Sequence, residues 1–341
     1  MARMMKRWEM DRIGRDALTL RDVPLPQPGP GEVLVKVQAV SLNYRDKMVI
    51  EGGMPLPLTF PFTPGSDIAG RVEATGPGVT RFREGDRVIS TFAPGWLDGP
   101  PNGDAETPPY RTLGGTHPGG LADYVAFPEG WFVAAPATLD PAEASTLPCA
   151  GLTAWTALVA CGHVHAGETV LVEGTGGVAL FGLQIAKAHG ARVVVVSGDG
   201  NKRRRAEALG ADHALDRAGW VEALWRLTER RGADHILEIV GGPHLGKAVQ
   251  AAAIGGRIHL IGVLEGFDVS ASVGPLLLKN LTIRGISVGH RRGLEDLVRA
   301  TDRLALKPVI DARYDLASFP EALDHLDRGP FGKVVIDVEH G

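Results

Sequence analysis

Val170-Leu171-Val172-Glu173-Gly174-Thr175-Gly176-Gly177-Val178-Ala179 decides how this chain is read. An apolar run of strand length ends in glycines, and an apolar segment of helix length starts at once. Gly174 permits a tight turn, and Gly176 lets a pyrophosphate approach the backbone closely. The free N–H groups near Gly177 and Val178 would face the phosphates, with Thr175 between the glycines. The third small position is Ala179. The alternative is a turn that merely packs a helix against a sheet.

Downstream, Val193-Val194-Val195-Val196 reads as the second strand, followed by Ser197. An NAD site usually places a carboxylate there to accept the ribose 2′-OH. Its absence, with Lys202 and Arg203 just beyond, suits a 2′-phosphate and therefore NADP(H) over NAD(H). Asp199 argues the other way: a two-residue slip of the strand would put it at the acidic position.

Further strands are read at Thr169–Val172, His235–Val240, Arg257–Ile261 and Leu281–Ile286, with helices at Ala179–His189, Lys202–Leu209, Val221–Arg230 and His244–Ala253. This alternation predicts an α/β unit, a doubly wound parallel sheet covered by helices. Before it, short β-rich runs such as Glu32–Val40, Ala69–Ala74 and Asp86–Ser90 are punctuated by Gly and Pro and predict a compact β domain. After a helix at Leu294–Leu304, the run Gly332–Val338 resembles the first regime and is expected to return to it. The domains are accordingly residues 1–149 with 289–341, and residues 150–288.

Composition narrows the partners. Of 341 residues 45 are glycine, yet no Gly-X-Y period runs through the chain, and the 44% hydrophobic and 22% charged residues predict a folded soluble protein. The net charge of −4 makes nucleic acid a poor partner. No apolar run approaches ~20 residues, so no membrane span is expected. The N-terminus lacks a signal-peptide core, and Cys149 and Cys161 suit a reduced, cytoplasmic protein.

The whole chain resembles the medium-chain dehydrogenase/reductase superfamily. The marks are Pro28-Gly29-Pro30-Gly31-Glu32-Val33, Pro64-Gly65-Ser66-Asp67, Gly85-Asp86-Arg87-Val88, Leu147-Pro148-Cys149-Ala150-Gly151-Leu152-Thr153-Ala154-Trp155 and Phe331-Gly332-Lys333-Val334-Val335. The resemblance implies a GroES-like β domain plus a Rossmann domain, hydride transfer at a nicotinamide, and a homodimer in which Leu281–Val288 pairs across the two-fold axis. Zinc-dependent members need Cys or His in the segment matching Val40–Asp46, a His at Ser66 and a later Cys. Only Cys149 fits, and one soft ligand cannot replace the three that a catalytic zinc requires. Ala93–Gly120, which matches the structural-zinc lobe, has no cysteine. Cys161-Gly162-His163-Val164-His165 groups three potential ligands but reads as a surface connection.

Asn43-Tyr44-Arg45-Asp46 resembles the zinc-free, quinone-oxidoreductase-like branch, with substrates among carbonyls, enones and quinones. The resemblance puts Asn43 by the substrate oxygen, Tyr44 as a donor or pocket wall, Asp46 as an orienting group and Thr153 beside the nicotinamide. Val240, Gly262, Val263 and Val288 follow strands whose carboxyl ends bind ligands in such sheets, and Lys333 matches a position near the cofactor phosphates. Competing readings are a non-catalytic NADPH-binding protein and a zinc-dependent alcohol dehydrogenase.

Overall fold

The structure is a computed structural model describing residues 3–101, 103–106 and 110–338. These residues fall into two compact units. One comprises the chain through Leu152 together with Gly289 onward, and the other spans Thr153–Val288. In chain order the strands are β1 (Met4–Met10), β2 (Leu18–Pro24), β3 (Glu32–Leu42), β4 (Asp67–Thr75), β5 (Arg87–Ser90), β6 (Tyr124–Pro128), β7 (Phe132–Ala134), β8 (Thr169–Glu173), β9 (Arg192–Val196), β10 (His213–Leu215), β11 (Ala233–Glu238), β12 (Ala252–Leu260), β13 (Thr282–Gly285), β14 (Ile310–Asp315) and β15 (Lys333–Asp337).

The first unit is the GroES-like β domain. Its main sheet has the order β14-β15-β3-β4-β5-β7, with β6 also paired to β3, and β1 and β2 form a separate antiparallel hairpin. The strand expected at Gly332–Val338 is β15. It lies antiparallel to β3, pairing Val334 with Leu42, so the chain end does return to this unit. Alternation along β3 sends Val33, Val35 and Val37 into a core shared with Ile68, Phe132 and Ile336.

The second unit is a parallel sheet in the order β10-β9-β8-β11-β12-β13. The four valines of β9 are almost wholly buried, as an interior parallel strand requires. The strand order reverses between β8 and β11, so a crevice opens at their carboxyl ends. The helix Gly177–Ala188 follows β8 directly. It buries Leu180, Leu183 and Ile185, and at Gly182 a Cβ would come within 2.3 Å of Leu237 Cδ1. Close helix–sheet packing therefore falls on Gly182, one turn beyond the small position read at Ala179.

Pro141–Cys161 is a helical run where the sequence reading marked only a motif; a turn at Ser145-Thr146 interrupts it, and it includes π-wound turns at Leu147–Gly151 and Thr156–Cys161. Its start carries Asp140 as N-cap, Pro141 at the first turn and Glu143 closing a capping box. This run is long and apolar enough to cross a membrane by length and composition alone. With 67% of its window buried in the fold, it has the character of a core helix.

Candidate functional site

In the second unit the site is built on the turn after β8. Gly174 has φ +81°, a region open to glycine, and its N–H donates to Val196 O at 2.7 Å, tying the turn to β9. Gly176 is different. It caps the helix at φ −80°, which any residue adopts, and a Cβ there would meet no protein atom within 4 Å. Neither backbone conformation nor packing demands glycine at 176, and the space beside it is open to close approach by a ligand. Gly177 and Val178 open the helix with N–H groups that have no partner within it, and Thr175 is buried beside them. These features fit a dinucleotide pyrophosphate.

β9 ends at Val196, and Ser197 is the first residue after it. Ser197 N–H donates to Leu215 O at 3.0 Å. Asp199 is instead the N-cap of the helix Gly200–Ala208, and one of its oxygens accepts from the N–H groups of Asn201 and Lys202. Those bonds hold its carboxyl below the ordinary range. Arg203 donates to Ser197 O at 2.7 Å and to Asp216 at 2.5 Å.

At the other carboxyl ends, Val240 N–H donates to Glu238. Gly262 is fixed by packing, since a Cβ would fall 1.7 Å from Ile239 O. Gly262 and Val263, with Leu260, Phe267 and Ile286, line a concavity of about 330 Å³. Val288 is almost buried at φ +61°, a strained conformation for a β-branched residue. Thr153 is buried in the helical run.

The crevice between β8 and β11 also holds a group that was not anticipated. Glu173, Glu238 and His244 are all buried, with ligand atoms within 4.8 Å of one another. Glu238 accepts from the N–H groups of Val240 and Gly241, whereas Glu173 meets His244 Nδ1 at 3.1 Å without hydrogen-bond geometry. Burial pushes the Glu173 carboxyl up to about 7, against the pull of His244. A carboxyl raised on folding holds its proton more tightly than in the unfolded chain. Its contribution to stability therefore falls as pH climbs from about 4.5 to about 7. His244, raised chiefly by Glu173, adds stability that is likewise lost as pH rises. Glu173→Gln is expected to gain on the native protein in Tm by roughly 2–4 °C between pH 5.5 and pH 8, about 1 kcal/mol for a domain of this size. A parallel offset at both pH values would contradict this. The sequence signal was a lone acid closing each apolar run, in Val170-Leu171-Val172-Glu173 and Ile236-Leu237-Glu238.

In the first unit Asn43, Asp46, Ser66, Asp67, Cys149 and Lys333 converge. Asn43 caps the helix Tyr44–Ile50, and its backbone N–H donates to Asp46 Oδ2 at 2.8 Å. Asp46, wholly buried, also accepts from Arg45 at 3.3 Å. Arg45 continues to Thr112 Oγ1 and Leu113 O, and its guanidinium lies over the rings of Phe92 and Tyr110. These two aromatics of the Thr91–Gly120 segment thus pack within their own unit; Asn102 and 107–109 lie outside the described residues. Asn43 Nδ2 donates to Ser66 Oγ at 3.3 Å, and Ser66 Oγ donates to Asp67 Oδ1 at 2.7 Å. Cys149 N–H, in a π-wound turn, donates to Asp67 Oδ2 at 3.1 Å. Lys333 Nζ donates to Leu42 O and Asn43 Oδ1, both at 2.5 Å. Burial pushes Asp67 up to about 6, with Lys333 pulling it down, and raises the Cys149 thiol. Tyr44 is 43% exposed.

The residues that were expected to decide zinc binding are thus brought together, and they do not fit a metal. A carboxamide, a hydroxyl, one carboxylate whose two oxygens already accept from Ser66 and Cys149, and one thiol that burial keeps protonated share this space with a lysine ammonium, which offsets the carboxylate and repels a cation. The other group of potential ligands among the described residues, Glu173, Glu238 and His244, contains no cysteine.

The chain matches the family described as alcohol dehydrogenase GroES-like domain over residues 29–137 and that described as zinc-binding dehydrogenase over residues 177–304. It is 37% identical over 337 residues to a zinc-type alcohol dehydrogenase-like protein of Schizosaccharomyces pombe, covering 96% of each chain. It is 27% identical to the quinone oxidoreductase of Rattus norvegicus, covering 95% of this chain and 94% of that one. A crystal structure from Sinorhizobium meliloti, provisionally designated an alcohol dehydrogenase, superposes with a TM-score of 0.97 at 63% identity, covering 99% of this chain and 100% of that one.

Proposed function

The chain belongs to the medium-chain dehydrogenase/reductase superfamily of oxidoreductases, and on that premise we propose that it is a zinc-independent, NADP(H)-dependent reductase of carbonyl, enone or quinone substrates. The observation that supports the reading is Gly176, where no protein atom crowds the backbone at the start of the helix and a ligand has room to approach it. Gly174, Thr175, Gly176, Gly177 and Val178 would hold the pyrophosphate. When bound, the nicotinamide would supply the hydride and water the proton, and the protein positions the reactants. Val240, Gly262, Val263 and Val288 line the nicotinamide side, with Thr153 beside it.

Asn43 is the donor to the oxygen that gains negative charge. Its bond to Ser66, at 3.3 Å, spends one of the two N–H groups of Nδ2, and the other is the donor to the substrate oxygen. Asp46 holds the helix start that presents Asn43 and neutralises Arg45, and exposed Tyr44 forms a pocket wall. The quinone oxidoreductase of Rattus norvegicus supports the substrate class.

Two features favour NADP(H). Ser197 stands where a carboxylate would repel a 2′-phosphate, and Lys202 and Arg203 follow within one helical turn, Arg203 already bonded to Ser197 O. Asp199 spends one oxygen on capping its helix. Titrating NADPH and NADH in one buffer by tryptophan fluorescence tests this. NADPH is expected to bind tighter by about tenfold or more, roughly 1.4 kcal/mol; equal or tighter NADH binding would return the ribose to Asp199.

A homodimer through β13 completes the reading. β13 is a sheet edge, and Phe267, Val273, Leu277 and Leu278 nearby are 65%, 63%, 67% and 83% exposed. An unpaired edge with apolar neighbours is a template for a second copy. Light scattering at micromolar concentration is expected to give a dimer, and Leu277→Glu with Leu278→Glu a monomer; a monomeric native protein would refute the assembly.

A further inference from the structure

Lys333 opens β15, and its side chain is almost wholly inside the first unit. A buried ammonium is costly unless its N–H groups find acceptors and its charge is balanced. Leu42 O and Asn43 Oδ1 are the acceptors, each at 2.5 Å. The balance comes from Asp46 and Asp67, both wholly buried, with Arg45 as the second cation at 3.3 Å from Asp46. Two cations and two carboxylates thus enclose one carboxamide, that of Asn43. This is the pocket whose sequence offered a metal a single soft ligand, Cys149.

We infer that Lys333 is a positioning residue that stands in place of a metal: its ammonium locks the Asn43 carboxamide, oxygen inward and nitrogen toward Ser66, and supplies the fixed positive charge of the site. This rests on the proposed reduction, which defines the task of Asn43. A flipped amide would set Nδ2 against the ammonium, so one orientation survives. A cation donating to the amide oxygen also draws electron density from the nitrogen and strengthens its N–H as a donor. Turning Nζ away to a cofactor phosphate would strip Leu42 O and Asn43 Oδ1 of their donor and leave Asp67 without its balancing charge.

The test uses the full-length protein with Lys333→Met, Lys333→Arg and the neutral double variant Lys333→Met/Asp67→Asn. The double variant removes one charge of each sign, so no carboxylate is left unbalanced. Three quantities are measured: NADPH affinity by fluorescence, kcat and KM with 1,4-naphthoquinone, and Tm from pH 5 to pH 8. NADPH affinity is expected to stay within about threefold in every variant. At saturating cofactor, kcat falls by about 30-fold or more in the single Met and double variants with KM within about threefold, the mark of a contribution to the transition state. Arginine does not restore kcat, because its planar fork cannot occupy a pocket cut for an ammonium. The Tm deficit of Lys333→Met widens toward pH 8 as Asp67, facing Asp46, Arg45 and Cys149, ionises without its partner, and the double variant abolishes that widening.

A loss of NADPH affinity of about tenfold or more with kcat retained would make Lys333 a phosphate ligand and overturn the inference. Unchanged kcat in the double variant would reduce Lys333 to a structural ion. If the native protein reduced no quinone, the proposed function would fall on its own, and a Tm deficit of Lys333→Met independent of pH would still overturn the assignment.

Discussion

Gly176→Val is expected to bind NADPH at least about 100-fold more weakly than the native protein while unfolding within roughly 4 °C of it. The two halves of this expectation have separate causes. At φ −80° the backbone accommodates any residue, and a Cβ meets no protein atom within 4 Å, so neither conformation nor packing requires glycine here. The exchange at the helix cap costs about 1 kcal/mol, and the stiffer unfolded chain returns about 0.4–1 kcal/mol. The bound pyrophosphate, by contrast, would meet two added methyl groups at the place where it must touch backbone. Gly182→Val is the matched control on the same helix. Its Cβ would lie 2.3 Å from Leu237 Cδ1, so it is expected to lose stability first. If Gly176→Val bound NADPH normally, the turn would be packing and not a phosphate site.

Asn43→Ala is expected to lower kcat by about 10²–10³-fold, the usual cost of removing one donor from a developing oxyanion. NADPH affinity is expected to remain within about threefold, because the phosphates are held elsewhere. Some stability goes as well. Lys333 Nζ loses one of its two acceptors, and an unsatisfied buried donor costs about 1–3 kcal/mol. Asn43→Asp keeps an acceptor for Lys333 but withdraws the N–H and adds a third carboxylate to the two already buried there, so kcat is not restored. Turnover of Asn43→Ala at the native rate would remove Asn43 from the mechanism.

Much of the fold was legible because the decisive segments are locally consistent. The β-branched run Val193–Val196 is buried from end to end, so its boundary, and with it the position of Ser197, could be read from residue type alone. β12 was harder. It begins at Ala252, well before the expected Arg257, because Gly255 at φ +74° and Gly256 punctuate a strand that nevertheless continues. The run Pro141–Cys161 carried its start signal in Asp140-Pro141-Ala142-Glu143, which the family motif at Cys149 overshadowed.

The site was legible by residue type but not by contact. Asn43, Asp46 and Lys333 were singled out, yet Lys333 meets Asn43 across 290 residues of chain, a pairing that no local pattern records. Asp46 was expected as an orienting group; it is wholly buried and bonded to Asn43 N–H and Arg45. Ser66 and Asp67 were weighed only as failed metal ligands, and their hydrogen bonds to Asn43 and Cys149 make them the wall of the site.

The most direct test of metal-free, NADPH-driven reduction is a single assay. Protein is dialysed against a strong chelator, its metal content is measured, and NADPH oxidation by 1,4-naphthoquinone and by a small enone is followed through nicotinamide absorbance. The account requires turnover at the untreated rate with zinc far below one atom per chain. Activity that vanishes on chelation and returns in proportion to added zinc would contradict it.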